Sequence, residues 1–368
     1  MNRSQEIIRT SVVGVVTNVL LATFKAIVGL IAGSIAIVMD AVNNLSDVLS
    51  SLITIVGTKL SERPADRQHP YGHGRIEYFS AIIISIIILL AGVTSLIEST
   101  KKIIKPTIPD YSAATLIVII VAIFVKLFLG RYVKKQGEKL KSDALFASGS
   151  DALFDALITL ATLISAIIML LWNVSLDGIL GILISLIIIK AGVDMLASPV
   201  NELLGARISQ EFVRNIKQEV MAFEEVHGVY DIILHNYGPN ILIGSLHISV
   251  PDTLHAYQIH GLTRRISEQL YKRHKIIMTV GVYAISTGEN EKTRLQTTVV
   301  AALARHKDVV QEIHGFYYFE KEHRISVDIV PDISVKDDEA LLKQLKTELE
   351  SLIPDEEITI VIDHNYSE

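Results

Sequence analysis

The chain has 368 residues, of which 50% are hydrophobic and 20% charged, with a formal net charge of −6 and no cysteine. A mean hydropathy of +0.41 is that of a membrane protein with a soluble part, not of a large soluble enzyme. The missing cysteines exclude disulfides and thiolate metal sites, and an acidic balance without a Lys/Arg run argues against a nucleic-acid partner.

Long uncharged runs fill residues 1–200, whereas 205–368 alternate short apolar strings with charges and hold ten of the twelve histidines. The break falls near Ser198 to Ile208. Six runs, at about 10–32, 35–59, 79–99, 112–133, 145–171 and 178–197, each approach the roughly 20 residues that span a bilayer as a helix. The first begins near Ile7 and carries no small-residue cleavage site, so no removable signal peptide is expected. An even number of spans leaves both termini on one side. Arg3 and Arg9, then Lys59, Arg63, Arg67 and Arg75, then Arg131, Lys134, Lys135, Lys139 and Lys141 fall at alternate ends of the runs, which assigns those ends and both termini to the cytoplasm. Lys101, Lys102 and Lys105, between runs three and four, run against this pattern.

Two runs carry oxygen-bearing side chains four residues apart: Asp40 with Asn44 in the second, and Asp151 with Asp155 in the fifth. That spacing puts each pair on one helical face. A carboxylate at mid-membrane depth costs roughly 2.5–3.5 kcal/mol on insertion scales, so three of them imply a function, and the one predicted is passage of a cation. No His or Cys lies in any run, which leaves only oxygen ligands. Those suit hard divalent ions such as Mn²⁺ and Mg²⁺, whereas Zn²⁺ favours imidazole and thiolate. Three carboxylates around one ion carry excess negative charge, so they favour a bound proton when the ion is absent, and metal binding becomes linked to proton release. Asp47 fits helix packing as well as it fits a metal. Lys25, Lys126 and Lys190 interrupt apolar runs and are expected to snorkel or to pair with an Asp, without a transport role.

Between runs two and three, Asp66, His69 and His73 form a second candidate site, a mixed donor set for a borderline ion such as Zn²⁺ or Mn²⁺. The alternative is a tight turn made by Pro64, Pro70, Gly72 and Gly74, with the histidines bonding its backbone. Arg75 and Glu77 are expected in ion pairs.

The tail repeats. Glu-Val-His-Gly-Val-Tyr at 225–230 returns as Glu-Ile-His-Gly-Phe-Tyr at 312–317, and Val250-Pro251-Asp252 as Val330-Pro331-Asp332. The offset falls from 87 to 80 between the two matches, which predicts a connection seven residues shorter in the second copy. Each copy reads helix, strand, strand, helix, strand, in the first at about 209–223, 229–236, 242–250, 254–273 and 276–284. The division expected is a membrane domain over 1–203 and two α+β modules over 204–286 and 287–368.

The stretches Asp40-Ala-Val-Asn-Asn-Leu-Ser-Asp47, Pro64-Ala-Asp-Arg-Gln-His-Pro-Tyr-Gly-His-Gly-Arg-Ile-Glu77 and Ser150-Asp-Ala-Leu-Phe-Asp155 resemble the cation diffusion facilitators, over about residues 5–286. The resemblance implies a homodimeric, proton-coupled exporter of divalent metal without a cofactor. It implies six membrane helices and a cytosolic ferredoxin-like domain, which the repeat here would double. The family's transport positions land on Asp40, Asn44, Asp151 and Asp155. Zinc-moving members usually have His where Asp151 stands, so this set resembles the manganese-moving branch. In some members the residues matching Asp66, His69 and His73 bind metal. His247 and His260 fall where the family places cytosolic ligands, but Tyr230 replaces another family His and Gly281 to Tyr283 lacks the expected His and Asp. A complete binuclear site is therefore not expected. In the second module Asp363 and His364 resemble that strand ending, though Val327 and Ala340 replace the two His.

The function expected is Mn²⁺ export across the plasma membrane by alternating access, with Zn²⁺, Fe²⁺, Co²⁺ or Cd²⁺ as alternative cargo. A rival is a membrane-anchored metal sensor, which would have no use for the intramembrane Asp pairs.

Overall fold

The computed structural model describes residues 2–31, 35–104, 113–172, 176–238 and 241–363; within the helices some side chains, Asp40's among them, lie outside the described residues. Two compact units result, one of residues 1–206 with 237–240 and one of 207–236 with 241–368.

The first unit consists of long helices: α1 (Arg3–Ile31), α2 (Ile35–Ser61), α3 (Ile76–Ile104), α4 (Ala113–Leu140), α5 (Asp143–Trp172) and α6 (Asp177–Leu204). Each outruns its apolar stretch, because hydropathy marks the part that meets lipid while backbone hydrogen bonding carries the helix on into its polar flanks. Among the described residues, α1, α3, most of α4, the first part of α5 and α6 are long and apolar enough to cross a membrane. Large apolar side chains such as Leu20, Leu90, Phe124, Phe128 and Leu183 point outward, while Ser50, Ser51, Thr54, Ser85 and Ser185 are buried. That inversion is expected of helices solvated by lipid and packed through small residues. The tightest pairings are α1 with α2, α3 with α6 and α4 with α5. A Cβ on Gly149 of α5 would strike the backbone of Lys134 in α4, so glycine sets that close approach. The helix ends at one face are tied by Arg3, whose guanidinium makes a two-pronged pair with Glu77 at the start of α3 (2.9 and 2.7 Å) and donates to the carbonyls of Leu140 and Lys141.

The second unit holds two modules. The first runs α7 (Gln210–Met221), β1 (Gly228–Asn236), β2 (Leu242–Pro251), α8 (Ala256–His274) and β3 (Ile276–Ile285); the second runs α9 (Glu291–Leu303), β4 (Val310–Phe319), β5 (Arg324–Pro331), α10 (Asp338–Leu352) and β6 (Glu357–Ile362). Each sheet has three strands, in the orders β1-β2-β3 and β4-β5-β6, with the first pair antiparallel and the second parallel. The cores follow from period. Leu262, Ile266 and Leu270 recur every four residues along α8, and Ile325, Val327 and Ile329 alternate along β5, each set lining the inner face. Asn290 and Asp337 cap α9 and α10 by accepting from Thr293 and Ala340 backbone N–H groups, each at 2.9 Å.

Only one residue of the seven-residue difference between the copies lies in the connection. The β1–β2 link is 237–241 and the β4–β5 link 320–323. The rest lies in the arms between the two repeated motifs, 229–236 and 242–249 in the first copy against 316–319 and 324–329 in the second.

Candidate metal sites

In the membrane unit, Asn44, Asp151 and Asp155 lie on α2 and α5, and α4 adds a residue that the sequence pattern left aside. Lys126, whose side chain is only 4% exposed, sets its ammonium 2.8 Å from Asp155 Oδ2 and 2.5 Å from Asp47 Oδ2. One lysine thus bridges a carboxylate of α2 and a carboxylate of α5. Asp151 is hydrogen-bonded with Ser50 of α2. Asn44 is buried; its Oδ1 accepts from Lys25 Nζ at 3.2 Å, and its Nδ2 has no hydrogen-bond partner among the described residues. Asp40 lies one turn earlier on α2, with its side chain outside the described residues. A cavity of about 10 Å³, room for about one water, is lined by Asn18, Asp47, Ser51, Lys126, Ser148 and Asp151 among others. The expectation that an interrupting lysine pairs with an Asp describes Lys126 well. A buried ammonium requires a carboxylate at hand, but which of the runs' carboxylates it meets is decided by the packing of α2, α4 and α5.

The loop before α3 does gather Asp66, His69 and His73, whose donor atoms lie within 4.8 Å of one another. Asp66 Oδ1 is 3.3 Å from His69 Nδ1, and Oδ2 is 3.6 Å from His73 Nε2. Turn chemistry is present in the same residues. Asp66 Oδ1 accepts from the backbone N–H groups of His69 (2.6 Å) and Gln68 (2.9 Å), and Gly72, at φ +87°, donates to the His69 carbonyl. The His69 N–H, with that of Gln68 behind it, holds the Asp66 carboxyl below the usual range. A carboxylate already pinned by its backbone costs little further ordering to bind an ion.

In the tail, His247 lies on β2 and His260 on the exposed face of α8, and the two do not share a donor cluster among the described residues. His364 lies outside the described residues. What the strands bring together instead is Asp231, His314 and Asp363, with His247 Nδ1 2.8 Å from Asp231 Oδ2. Burial pushes the Asp231 carboxyl up, but close contacts with His314, Asp363 and Tyr283 outweigh it and hold it well below the usual range. The same Asp231–Asp363 contact pushes Asp363 up to about 6. Asp231 and His314 were not singled out in the sequence, because they meet only when two modules distant along the chain fold against each other.

Long apolar helices around buried acids, with a tail of small α+β modules, define a multi-pass membrane protein that handles a cation. Comparison makes this specific. Residues 11–204 match the cation efflux transmembrane domain, and residues 208–282 match the cytoplasmic domain of cation efflux proteins. An uncharacterized transporter of Methanocaldococcus jannaschii is 30% identical over 72% of this chain and 94% of its own length. The manganese efflux system proteins MneP and MneS of Bacillus subtilis are 26% and 25% identical, over 75% and 72% of this chain and 94% and 91% of their own lengths. The chain belongs to the cation efflux, or cation diffusion facilitator, family: secondary transporters of divalent metal cations, neither enzymes nor cofactor carriers. Residues 283–368, which include the second module, lie beyond both matches.

Proposed function

We propose that the protein exports Mn²⁺ from the cytoplasm in exchange for protons, by alternating access around Asp40, Asn44, Asp151 and Asp155. The observation that carries this is the donor set: Asn44 on α2 and Asp151 and Asp155 on α5 offer oxygen, with no imidazole or thiolate in those spans, which favours a hard ion. The manganese efflux relatives agree. Lys126 stands in for the absent cation by neutralising Asp155. A metal arriving at Asp155 displaces the ammonium toward Asp47. All six helices span, both termini lie in the cytoplasm of a plasma-membrane protein, and the chain works as a homodimer, supported by the cytoplasmic-domain match. The three-part division and a ferredoxin-like form of each tail module belong to the same reading. Asp66, His69 and His73 make an accessory site at the membrane face, and His247 and His260 are candidate ligands in the tail. Transport into proteoliposomes under a pH gradient tests it. Wild type should move Mn²⁺ and acidify or alkalinise the lumen in step, and Asp155→Ala should not; equal transport by that variant refutes the site.

A further inference from the structure

The tail contains a cluster that the transport reading does not use, at the meeting of its two modules. Asp231 sits on β1 where the ladder to β2 slips between Tyr230 and Ile233, with φ +54°. The other described non-glycine residues with positive φ, Lys141, Lys275 and His323, sit at helix ends or turns. A bulge re-aims a side chain, and strain held within a strand is characteristic of binding sites. The second module bulges too, between His314 and Tyr317, at Gly315 with φ +63°. The two irregularities turn Asp231 and His314 toward each other, with Asp231 Oδ1 2.9 Å from His314 Nε2 and Asp363 Oδ2 3.8 Å from the same nitrogen. His247 Nδ1 and the Tyr283 hydroxyl reach the other Asp231 oxygen at 2.8 and 2.7 Å, and Tyr283 lies 3.5 Å from Asp328. Tyr230 stacks on His314 and Tyr283 on His247, with ring centres 4.9 and 4.6 Å apart.

The His314 side chain is only 1% exposed, yet neither of its ring nitrogens makes a hydrogen bond of acceptable direction, and His247 Nδ1 is in the same position. A buried imidazole left in that state costs about 1–3 kcal/mol per unsatisfied atom. The donor atoms of Asp231, His314 and Asp363 all lie within 4.8 Å of one another, close enough for one ion to reach all three. Three carboxylates, of Asp231, Asp328 and Asp363, gather there, and what faces them is imidazole and phenol. Asp363 and His247 are 42% and 37% exposed, which gives an ion a way in from solvent.

We propose that Asp231, His314 and Asp363, with His247 as fourth donor, form a divalent-metal site joining the two tail modules. Two nitrogens and two carboxylate oxygens suit a borderline ion of the Zn²⁺ or Co²⁺ kind in four-coordinate geometry, in contrast to the all-oxygen set in the membrane. Two of the four donors, His314 and Asp363, lie beyond the matched cytoplasmic domain, so the site belongs to the added module and does not rest on the transport reading. Bound metal would clamp the modules together.

The experiment uses the full chain in detergent, with the other candidate sites silenced by Asp155→Ala, His69→Ala and His73→Ala, and with Co²⁺ as probe. One Co²⁺ per chain is expected, with the strong visible absorption of tetrahedral Co²⁺ and displacement by Zn²⁺ in preference to Mn²⁺. Asp363→Asn and His247→Ala, both at half-exposed positions that leave the fold intact, should each weaken binding at least about tenfold, on the scale of losses around metal centres. His314→Gln should abolish the tetrahedral spectrum. The proposal is overturned if the silenced chain binds no Co²⁺, or binds it equally well with Asp363→Asn and His247→Ala.

Discussion

Replacing Lys126 with Met keeps the stem and removes the ammonium that sits between Asp47 and Asp155. Both ion pairs are largely out of water, with side-chain exposures of 4% for the lysine, 15% for Asp47 and 25% for Asp155. Removing one partner of a buried pair costs about 3–5 kcal/mol, because the charge left behind keeps its desolvation penalty and loses its attraction. For a unit of this size that corresponds to a fall in melting temperature of roughly 10 °C. Thermal unfolding of the purified protein in detergent, followed by tryptophan fluorescence or light scattering, reads it directly. Adding Asp47→Asn should return about half of the loss, since one bare carboxylate disappears. Mn²⁺ should stabilise Lys126→Met more than wild type, because the ion no longer competes with an internal cation. A variant that melts within about 1 °C of wild type, or equal stabilisation of both proteins by Mn²⁺, would show that Lys126 does not hold the site's charge.

Replacing Asp151 with His adds a nitrogen donor and should move metal competition in proteoliposomes from Mn²⁺ toward Zn²⁺; an unchanged order would place selectivity outside these helices. Arg3→Ala leaves Glu77, 4% exposed, without its two-pronged partner and frees the Leu140 and Lys141 carbonyls, so a destabilisation of about 2–4 kcal/mol is expected in the same melting assay. In the tail, burial pushes Glu219 up, but hydrogen bonds from His274 and Gln269, with Arg273 nearby, hold it below the usual range. Its folded value lies below its unfolded one, so its stabilisation is complete above the ordinary glutamate range and disappears as pH falls through the folded value. Glu219→Gln should therefore flatten the acid limb of the tail's stability curve and leave its shape above neutrality unchanged.

The sequence alone determined what depends on neighbours along the chain. Apolar length fixes which segments can be lipid-spanning helices, i to i+4 spacing puts Asp151 and Asp155 on one face of α5, and alternation builds β5 around Ile325, Val327 and Ile329. The repeated His-Gly motif is local in the same way, because each copy carries its own helix and strand periods. The Asp66, His69 and His73 cluster was legible for the same reason, since its three donors fall within eight positions of one another.

Only the tertiary structure decided what depends on residues far apart. Hydropathy saw Lys126 as an interruption of an apolar run; the crossing of α2, α4 and α5 made it the partner of Asp47 and Asp155. His247 looked like a family ligand and Asp231 like an ordinary strand residue, until the fold brought Asp231 Oδ1 within 2.9 Å of His314 Nε2. The physical reason is the same in both places. A charge or an imidazole is expensive to bury alone, so its role is set by whichever distant group the fold brings within about 3 Å to compensate it. Local pattern specifies the elements, and their packing chooses the partners.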